Sequence, residues 1–282
     1  MCFRLYTLLH LLLSGLQKET HVYAVQGERK LKLDIYRPKS ADGPVPVIVF
    51  THGGGWAIGM RRLIEPAFVH QVKRGYALVS LTYSLTRKAS WPAQIHETKA
   101  AYRWVRANAK RFGFDPGKLI AAGGSAGGHL ACVAALSGPG NLEGDLGNAE
   151  TSSDVSGVAA FYPPTDLISI NNKGLLGKHT IEALLGGAVS DQERALVEAT
   201  PATHVRADAP PLLIMHGTID QVVPFEQGAA IVDAVNAAGG QAELVKMPGI
   251  AHADWRFNAK RYRKSLEAFL DRVSGKNQVN AK

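Results

Sequence analysis

The chain has 282 residues, of which 46% are hydrophobic and 20% are charged, with a formal net charge of +8. This composition excludes a largely disordered chain, and the length allows one large α/β domain or two small ones. The Lys and Arg residues are scattered along surface-like segments, so we expect a solvated surface and no nucleic-acid partner.

The first predicted element is an apolar N-terminal segment, residues 1–19. Its apolar run from Leu5 to Leu16 follows Arg4, as in a signal peptide, and is too short to span a bilayer. Cleavage after Ala24 would cut into the first predicted strand. A signal peptide and an ordinary helix therefore remain equal alternatives, and the localisation, cytoplasmic or secreted, stays open.

Eight strands are predicted from apolar patterns. The first two alternate and form an antiparallel hairpin turning near Gly27, and most of the later ones are continuous apolar runs typical of strands buried on both faces. The predicted strands are Val22–Val25, Lys30–Tyr36, Val47–Phe50, Ala77–Leu81, Leu119–Ala122, Val155–Phe161, Leu212–Met215 and Glu243–Met247.

Helical patterns lie between these strands. The clearest begins at Pro92, with Ser90 as a candidate N-cap, and ends at Gly113. The basic run Lys260–Lys264 shares its segment with apolar residues at helical spacing and indicates the outer face of a terminal helix. The alternation predicts an α/β fold with a mostly parallel, doubly wound sheet of about eight strands and helices on both faces.

One segment breaks the alternation. Residues 163–207 contain shorter, mixed patterns and no long apolar lid. We interpret them as a small cap insertion within a single domain over residues 20–275.

Eight of the 29 glycines fall in two short windows, where the backbone must adopt positive φ or be approached closely. The first window follows a buried strand and reads His52-Gly53-Gly54-Gly55-Trp56. Backbone N–H groups in such a loop can stabilise the negative charge that develops on a carbonyl oxygen during acyl transfer.

The second window, Gly123-Gly124-Ser125-Ala126-Gly127, matches the Gly-x-Ser-x-Gly pattern between a buried strand and a small-residue helix. A nucleophile elbow requires this pattern, because the serine occupies a strained turn and the strand and helix nearly touch beside it. Ser125 is therefore the candidate nucleophile.

A serine hydroxyl needs a neighbouring base to become a nucleophile. Asp220 follows the seventh predicted strand and His252 follows the eighth, so both project from the same sheet edge as Ser125. The carboxylate would fix the imidazole tautomer and stabilise the imidazolium. Asp166, after the preceding strand, is the alternative acid, whereas Asp254 lies too close to His252 in sequence.

The sequence predicts no metal site and no cofactor. Cys2 and Cys132 form no CxxC pair, and the histidines lack metal-ligand spacing. Cys132 lies in an apolar run and is expected to be an inert core residue.

On these motifs the sequence resembles carboxylesterases of the α/β-hydrolase superfamily, in the branch with an HGGGW loop. The similarity runs from Tyr23 to Phe269 and is closest to feruloyl- and acetyl-xylan-type esterases. Hormone-sensitive-lipase-like esterases are also similar, but they usually carry Asp before the serine, where this chain has Gly124.

The resemblance implies roles for individual residues. It implies that Ser125 is the nucleophile, Asp220 the acid and His252 the base. It implies oxyanion donors at the N–H groups of Gly54, Gly55 and Ala126, with Gly53 if the register shifts by one. His52 would orient the loop.

The sequence therefore predicts a serine carboxylesterase that hydrolyses short-chain esters of small molecules through an acyl-enzyme. The Asp220 region also resembles prolyl-oligopeptidase-type peptidases, whose large propeller does not fit in 282 residues. A non-catalytic binding protein on the same scaffold is the other alternative, and an intact triad argues against it. No stable membrane span is expected, and the oligomeric state is left open.

Overall fold

The computed structural model describes residues 16–38, 43–170 and 177–276. Within them eight strands form one sheet in the order β1-β2-β4-β3-β5-β6-β7-β8. The strands are β1 (Lys18–Gln26), β2 (Arg29–Tyr36), β3 (Val45–Thr51), β4 (Ala77–Leu81), β5 (Phe114–Gly124), β6 (Gly157–Phe161), β7 (Leu212–Gly217) and β8 (Ala242–Met247). The N-terminal prediction falls mostly outside the described residues, and β1 begins two residues before the expected boundary at residue 20.

Helices connect the strands from β3 onward, and one more follows β8. They are α1 (Pro66–Lys73), α2 (Ala93–Ala107), α3 (Ala109–Phe112), α4 (Ala126–Leu136), α5 (Leu167–Ile170), α6 (Gly177–Leu185), α7 (Glu193–Glu198), α8 (Phe225–Ala237) and α9 (Lys260–Ser274). Short 3-10 turns occur at Val189–Asp191, Pro201–His204 and Trp255–Asn258. No helix of the described residues is long and apolar enough to cross a membrane.

The predicted mostly parallel sheet is confirmed. β1 and β2 form the antiparallel hairpin, which turns at Gly27 with φ of 58°, and β2 pairs antiparallel with β4. Every other neighbouring pair is parallel. Consequently β3 and β5 to β8 all end at one edge of the sheet, and the loops that follow them meet there.

Helices cover both faces of the sheet, which explains the continuous apolar runs in the sequence. Along β3, Val47 and Val49 belong to the core that includes α2 and α4, whereas Ile48 and Phe50 belong to the core with α1 and α9. In α9, apolar residues such as Leu266 are buried while its first basic residues are exposed, as predicted.

The helix predicted to run from Pro92 to Gly113 is divided in the structure. α2 ends at Ala107, and Asn108 has φ of −99° and ψ of 9° before the single turn α3. The Asn108 side-chain amide donates to the carbonyl of Trp104 at 2.9 Å. Asparagine side chains compete with helical hydrogen bonds in this way. The helical spacing of apolar residues in the sequence therefore continues past Asn108, although the helix itself does not.

The prediction of Ser90 as the N-cap of α2 was wrong. Pro92 is the N-cap residue, and no side chain caps the helix there. The Ser90 carbonyl instead accepts the Ala93 N–H at 3.1 Å, so its backbone supplies the contact expected of its hydroxyl.

Candidate active site

The predicted nucleophile, base and acid lie together at the carboxyl edge of the sheet. The distance from His252 Nε2 to Ser125 Oγ is 3.0 Å, and the distance from His252 Nδ1 to Asp220 Oδ2 is 2.7 Å. The three residues follow β5, β7 and β8, so the sheet topology brings them together although the chain separates them. A hydroxyl, an imidazole and a carboxylate in this chain of hydrogen bonds can activate the hydroxyl as a nucleophile.

The turn that carries Ser125 is strained, and glycines make it possible. Ser125 has φ of 54° and ψ of −125°, a region that residues other than glycine rarely adopt. A Cβ on Gly127 would lie 1.9 Å from the Thr51 carbonyl oxygen, and a Cβ on Gly123 would lie 2.4 Å from the Gly127 carbonyl carbon. The spacing of the motif therefore reflects contact between the strand ends and α4.

Asp220 is fixed by hydrogen bonds on both of its carboxyl oxygens. Oδ1 accepts the N–H groups of Val222 and Val223, each at 2.9 Å, while Oδ2 faces His252 and the side chain of His216. Burial acts to raise the pKa of Asp220, but hydrogen bonds from both histidines outweigh it and lower the pKa to about 2. The carboxylate is thus charged and oriented toward the His252 ring.

His216 is a site residue that the sequence did not reveal. It is fully buried at the end of β7, and its Nε2 lies 3.0 Å from the Val223 carbonyl and 3.4 Å from Asp220 Oδ2. Because the carbonyl can only accept a hydrogen bond, Nε2 carries the hydrogen. Its position four residues before Asp220 was the available signal, but a lone histidine there matches no motif.

The loop after β3 places backbone N–H groups beside Ser125. Gly54 has φ of 122° and Gly55 has φ of 56°, and the Gly54 carbonyl closes the turn by accepting the Ala57 and Ile58 N–H groups at 3.1 and 3.0 Å. Both glycines line the same cavity as Ser125. The Gly55 N–H donates to no group in the described part of the chain.

Ala126 contributes a further N–H at this point. It is the first residue of α4, and the first N–H groups of a helix have no partner within the helix. The helix dipole adds positive potential there. The three predicted donors, at Gly54, Gly55 and Ala126, therefore come from two elements that meet at Ser125.

His52 holds the glycine loop in place through buried contacts. It is fully buried, stacks on the Tyr83 ring at 4.4 Å and donates from Nδ1 to the Gly53 carbonyl at 2.9 Å. Burial lowers the pKa of His52 to about 4, so the ring is neutral at neutral pH. These contacts agree with the orienting role that the family resemblance implies.

Trp56 connects the same loop to α4 and to the 163–207 segment. Its Nε1 donates to His129 Nδ1 at 3.3 Å, and His129 Nε2 donates to the Ala199 carbonyl at 2.6 Å. Burial lowers the pKa of His129 to about 4, which keeps Nδ1 available as an acceptor. The aromatic residue that ends the HGGGW motif is therefore a buried hydrogen-bond donor.

A cavity of about 420 Å³ opens beside Ser125 and His252. Its wall includes Phe50 from β3, the loop residues Ile58, Leu63 and Val222, and Thr180 from α6. The cavity is large enough for a small ester.

Two further residues of this cavity, Glu65 and Tyr162, were absent from the sequence-based set. The Tyr162 hydroxyl donates to Glu65 Oε1, and the Tyr162 ring lies 4.5 Å from the His252 ring. A Cβ on Gly124 would lie 3.0 Å from the Tyr162 hydroxyl oxygen. Tyr162 thus occupies the space beside the residue that precedes Ser125, which explains why glycine stands there.

Both members of this pair are buried ionisable groups. Burial raises the pKa of Glu65 to about 7, despite the opposing hydrogen bond from Tyr162. Burial and the neighbouring Glu65 carboxyl raise the pKa of Tyr162 far above its usual range, so its hydroxyl stays protonated. The only sequence signal was the place of Tyr162, directly after β6.

The remaining candidates have other contacts. Asp166 Oδ1 accepts the N–H groups of Ile168 and Ser169, and Asp254 binds the Arg256 side chain. Cys132 is a buried core residue, as predicted, and burial raises its pKa to about 12. No group of three or more His, Cys, Asp or Glu side chains in the described residues could hold a metal ion.

Comparison with known proteins gives consistent matches. A family model described as BD-FAE matches residues 33–235. The chain is 34% identical to esterase LipQ of Mycobacterium tuberculosis over 251 residues, which is 87% of this chain and 59% of LipQ. The chain spans between about half and three fifths of the length of the first three curated relatives it matches.

Solved structures show the same fold. A truncated carbohydrate esterase from gut microbiota superposes with a TM-score of 0.84 at 28% identity, covering 92% of this chain and 96% of that one. Esterase 2 of Thermogutta terrifontis with propionate bound has a TM-score of 0.77 at 30% identity, covering 90% of this chain and 94% of that one.

Proposed function

Because this chain belongs to the BD-FAE family of α/β-hydrolase carboxylesterases, we propose that it hydrolyses short-chain carboxylic esters through an acyl-enzyme. The observation that carries the proposal is the continuous hydrogen-bonded line from Ser125 through His252 to Asp220. Ester hydrolysis by such a line needs neither a metal nor a cofactor.

In the proposed mechanism His252 Nε2 takes the proton from Ser125 as Oγ attacks the ester carbonyl. The carbonyl oxygen becomes negatively charged and is stabilised by the N–H groups of Gly54, Gly55 and Ala126. His252 then gives its proton to the leaving alcohol, and Asp220 stabilises the imidazolium throughout. Water activated by His252 releases the acid and restores Ser125.

Short acyl groups are proposed from the size and lining of the cavity. A volume of about 420 Å³ holds a small ester, and a long acyl chain would extend beyond it. The Thermogutta terrifontis esterase 2 has also been solved with propionate and with butyrate.

We also propose that residues 163–207 act as a cap on the site. Thr180 of α6 lines the cavity, and the Ala199 carbonyl accepts the His129 hydrogen bond that continues from Trp56. Thr180 lies in the short helix α6, and Ala199 directly follows the short helix α7.

Replacement of Ser125 by alanine tests the nucleophile. We expect Ser125→Ala to lower kcat on p-nitrophenyl acetate and butyrate by roughly 10⁴-fold or more, because no other described group in the cavity replaces the hydroxyl. Wild-type rates should fall for octanoate and longer esters. The exposed Ser190→Ala variant is the matched control and should retain activity. Unchanged ester hydrolysis in Ser125→Ala would refute the mechanism, and cleavage of peptides but not esters would favour the peptidase alternative.

Replacement of the two candidate acids tests the choice between them. We expect Asp220→Asn to lower kcat by about 10⁴-fold, since the amide no longer holds the required imidazole tautomer. Asp166→Asn, which alters only the start of α5, should stay within a few-fold of the wild type. The opposite pattern would make Asp166 the acid.

A further inference from the structure

The cavity contains one carboxyl group that the proposed hydrolysis does not use. Glu65 lines the cavity with only 6% of its surface exposed, and its Oε1 accepts the Tyr162 hydroxyl. The second oxygen, Oε2, has no hydrogen-bond partner in the described part of the chain and is not fully enclosed by protein atoms. Oε2 is therefore open to the cavity.

This carboxyl group stands close to the reacting atoms. The Tyr162 hydroxyl that binds Glu65 lies beside Gly124, the neighbour of Ser125, and the Tyr162 ring packs on the His252 ring. A group of the substrate that reaches Glu65 must consequently belong to the part of the ester next to the scissile bond.

The surroundings of Glu65 define the chemistry of that group. A substrate that enters the cavity displaces water from the Glu65 carboxyl group. Because much of the cavity wall is apolar, this desolvation costs free energy unless the substrate itself forms a hydrogen bond with the carboxyl group. Burial raises the pKa of Glu65 to about 7, so both of its forms occur near neutral pH. A hydroxyl group can donate to the charged form and accept from the neutral form, so it can pair with Glu65 in either state, whereas an ammonium pairs strongly only with the charged form and an anion only with the neutral form.

We propose that Glu65, held by Tyr162, forms a hydroxyl-binding subsite, and that the preferred substrates are esters with a hydroxyl group close to the scissile bond. The hydroxyl could belong to the acyl part, as in a hydroxyacyl ester, or to the alcohol part, as in a polyol ester. This inference rests on the ester hydrolysis proposed above.

Two pairs of esters, assayed at pH 8, test the subsite and identify the part of the substrate it binds. The acyl arm compares p-nitrophenyl 3-hydroxybutyrate with p-nitrophenyl butyrate, and the alcohol arm compares glycerol monoacetate with ethyl acetate. We expect wild-type kcat/KM to favour the hydroxylated ester by about tenfold or more in one arm, the effect of a hydrogen bond to a charged group.

The variants are Glu65→Met, Glu65→Gln and, as the matched control, the exposed Glu226→Gln. We expect Glu65→Met to bring the ratio close to one, Glu65→Gln to lower it several-fold, and Glu226→Gln to keep it. Because each ratio is taken within one variant, a general loss of folded protein cancels. If Glu65→Met does not fold, the ratio measured with Glu65→Gln still tests the subsite.

A wild-type ratio near one in both arms would overturn the subsite, as would an unchanged ratio in the folded Glu65 variants. In either case the plain esters would still be cleaved. If the wild type cleaved none of the four esters, the proposed hydrolysis itself would fail, which is a different result.

Discussion

At the scale of single residues, Tyr162 connects the parts of the site. Its backbone has φ of 40°, its N–H donates to the Met215 carbonyl at 2.8 Å, and its ring lies against both Phe257 and His252. A residue other than glycine in this backbone region is strained, and such strain is found where the surrounding structure holds a side chain in place for function. Tyr162 thereby limits the orientations open to the His252 ring.

The buried Glu65 should make the stability of the protein depend on pH. Its folded-state pKa of about 7 lies above its ordinary value of 4.5, so the folded state binds this proton more tightly than the unfolded state. The contribution of Glu65 to stability is therefore largest below pH 4.5 and is lost as the pH rises toward 7. We expect Glu65→Gln, which cannot ionise, to gain on the order of 3 kcal/mol relative to the wild type between pH 4.5 and pH 8.

Urea denaturation of both proteins at several pH values measures this difference, in which the other titrating groups cancel. The exposed Glu226→Gln should parallel the wild type over the same range. Parallel curves for Glu65→Gln and the wild type would show that the carboxyl group has an ordinary pKa in the folded protein.

The residues that sequence reasoning found differ from those it missed in a physical way. Ser125, Asp220 and His252 each follow a strand of the parallel part of the sheet, so chain order and strand direction were enough to place them at one edge. Glu65 and His216 make their contacts only through side-chain packing between elements, which no local spacing records. The same reason explains why the occupant of the space beside Gly124 could not be foreseen.

At the scale of elements, the contact between α4 and the ends of β3 and β5 determines the geometry of the nucleophile. Every residue of α4 is buried, and its first turn carries glycines where the helix meets the strand backbones. Sequence periodicity could not describe α4, because a helix buried all round has no polar face. It was predicted instead from its small residues after the serine motif.

Enlargement of one of these glycines should separate the helix from the strands. In Gly127→Ala the new Cβ would lie 1.9 Å from the Thr51 carbonyl oxygen, so β3 and α4 must move apart. We expect a loss of at least about 3 kcal/mol in the free energy of unfolding, or insoluble protein, together with loss of activity. Thermal and urea denaturation measure the first effect.

Gly117→Ala provides the matched control within β5. Its Cβ would lie 3.4 Å from Asp115 Oδ1, an ordinary contact, so the stability should change by less than about 0.5 kcal/mol. Equal effects of the two substitutions would show that the close approach at residue 127 is not what requires glycine.

At the scale of the whole molecule, the site draws on most of the sheet. Its residues follow β3, β5, β6, β7 and β8, and the cores on both faces hold those strands in register. The fold class and all eight strands could be predicted, because alternating strand and helix patterns leave few architectures. β4 has the predicted bounds, Ala77–Leu81. The ends of the other strands and the break between α2 and α3 depend on packing and side-chain hydrogen bonds, and these differed from the prediction.

We expect activity and global structure to be lost together in urea. Trp56 and Trp91 are buried in the core while Trp255 is 72% exposed, so the change in tryptophan fluorescence reports mainly on the core. Because no single element contains the site, the midpoint for loss of ester hydrolysis should coincide with the fluorescence midpoint. A clearly lower midpoint for activity would indicate that the site unfolds locally while the sheet persists.

The order of the catalytic residues along the chain also bears on protein synthesis. Ser125 and the glycine loop leave the ribosome first, Asp220 follows, and His252 comes only after β8, the edge strand of the sheet. A nascent chain that ends before β8 therefore has a serine without its base. The proposed hydrolysis would begin only when the last strand has been translated and has paired with β7, so no shorter intermediate of synthesis could cleave esters in the cell.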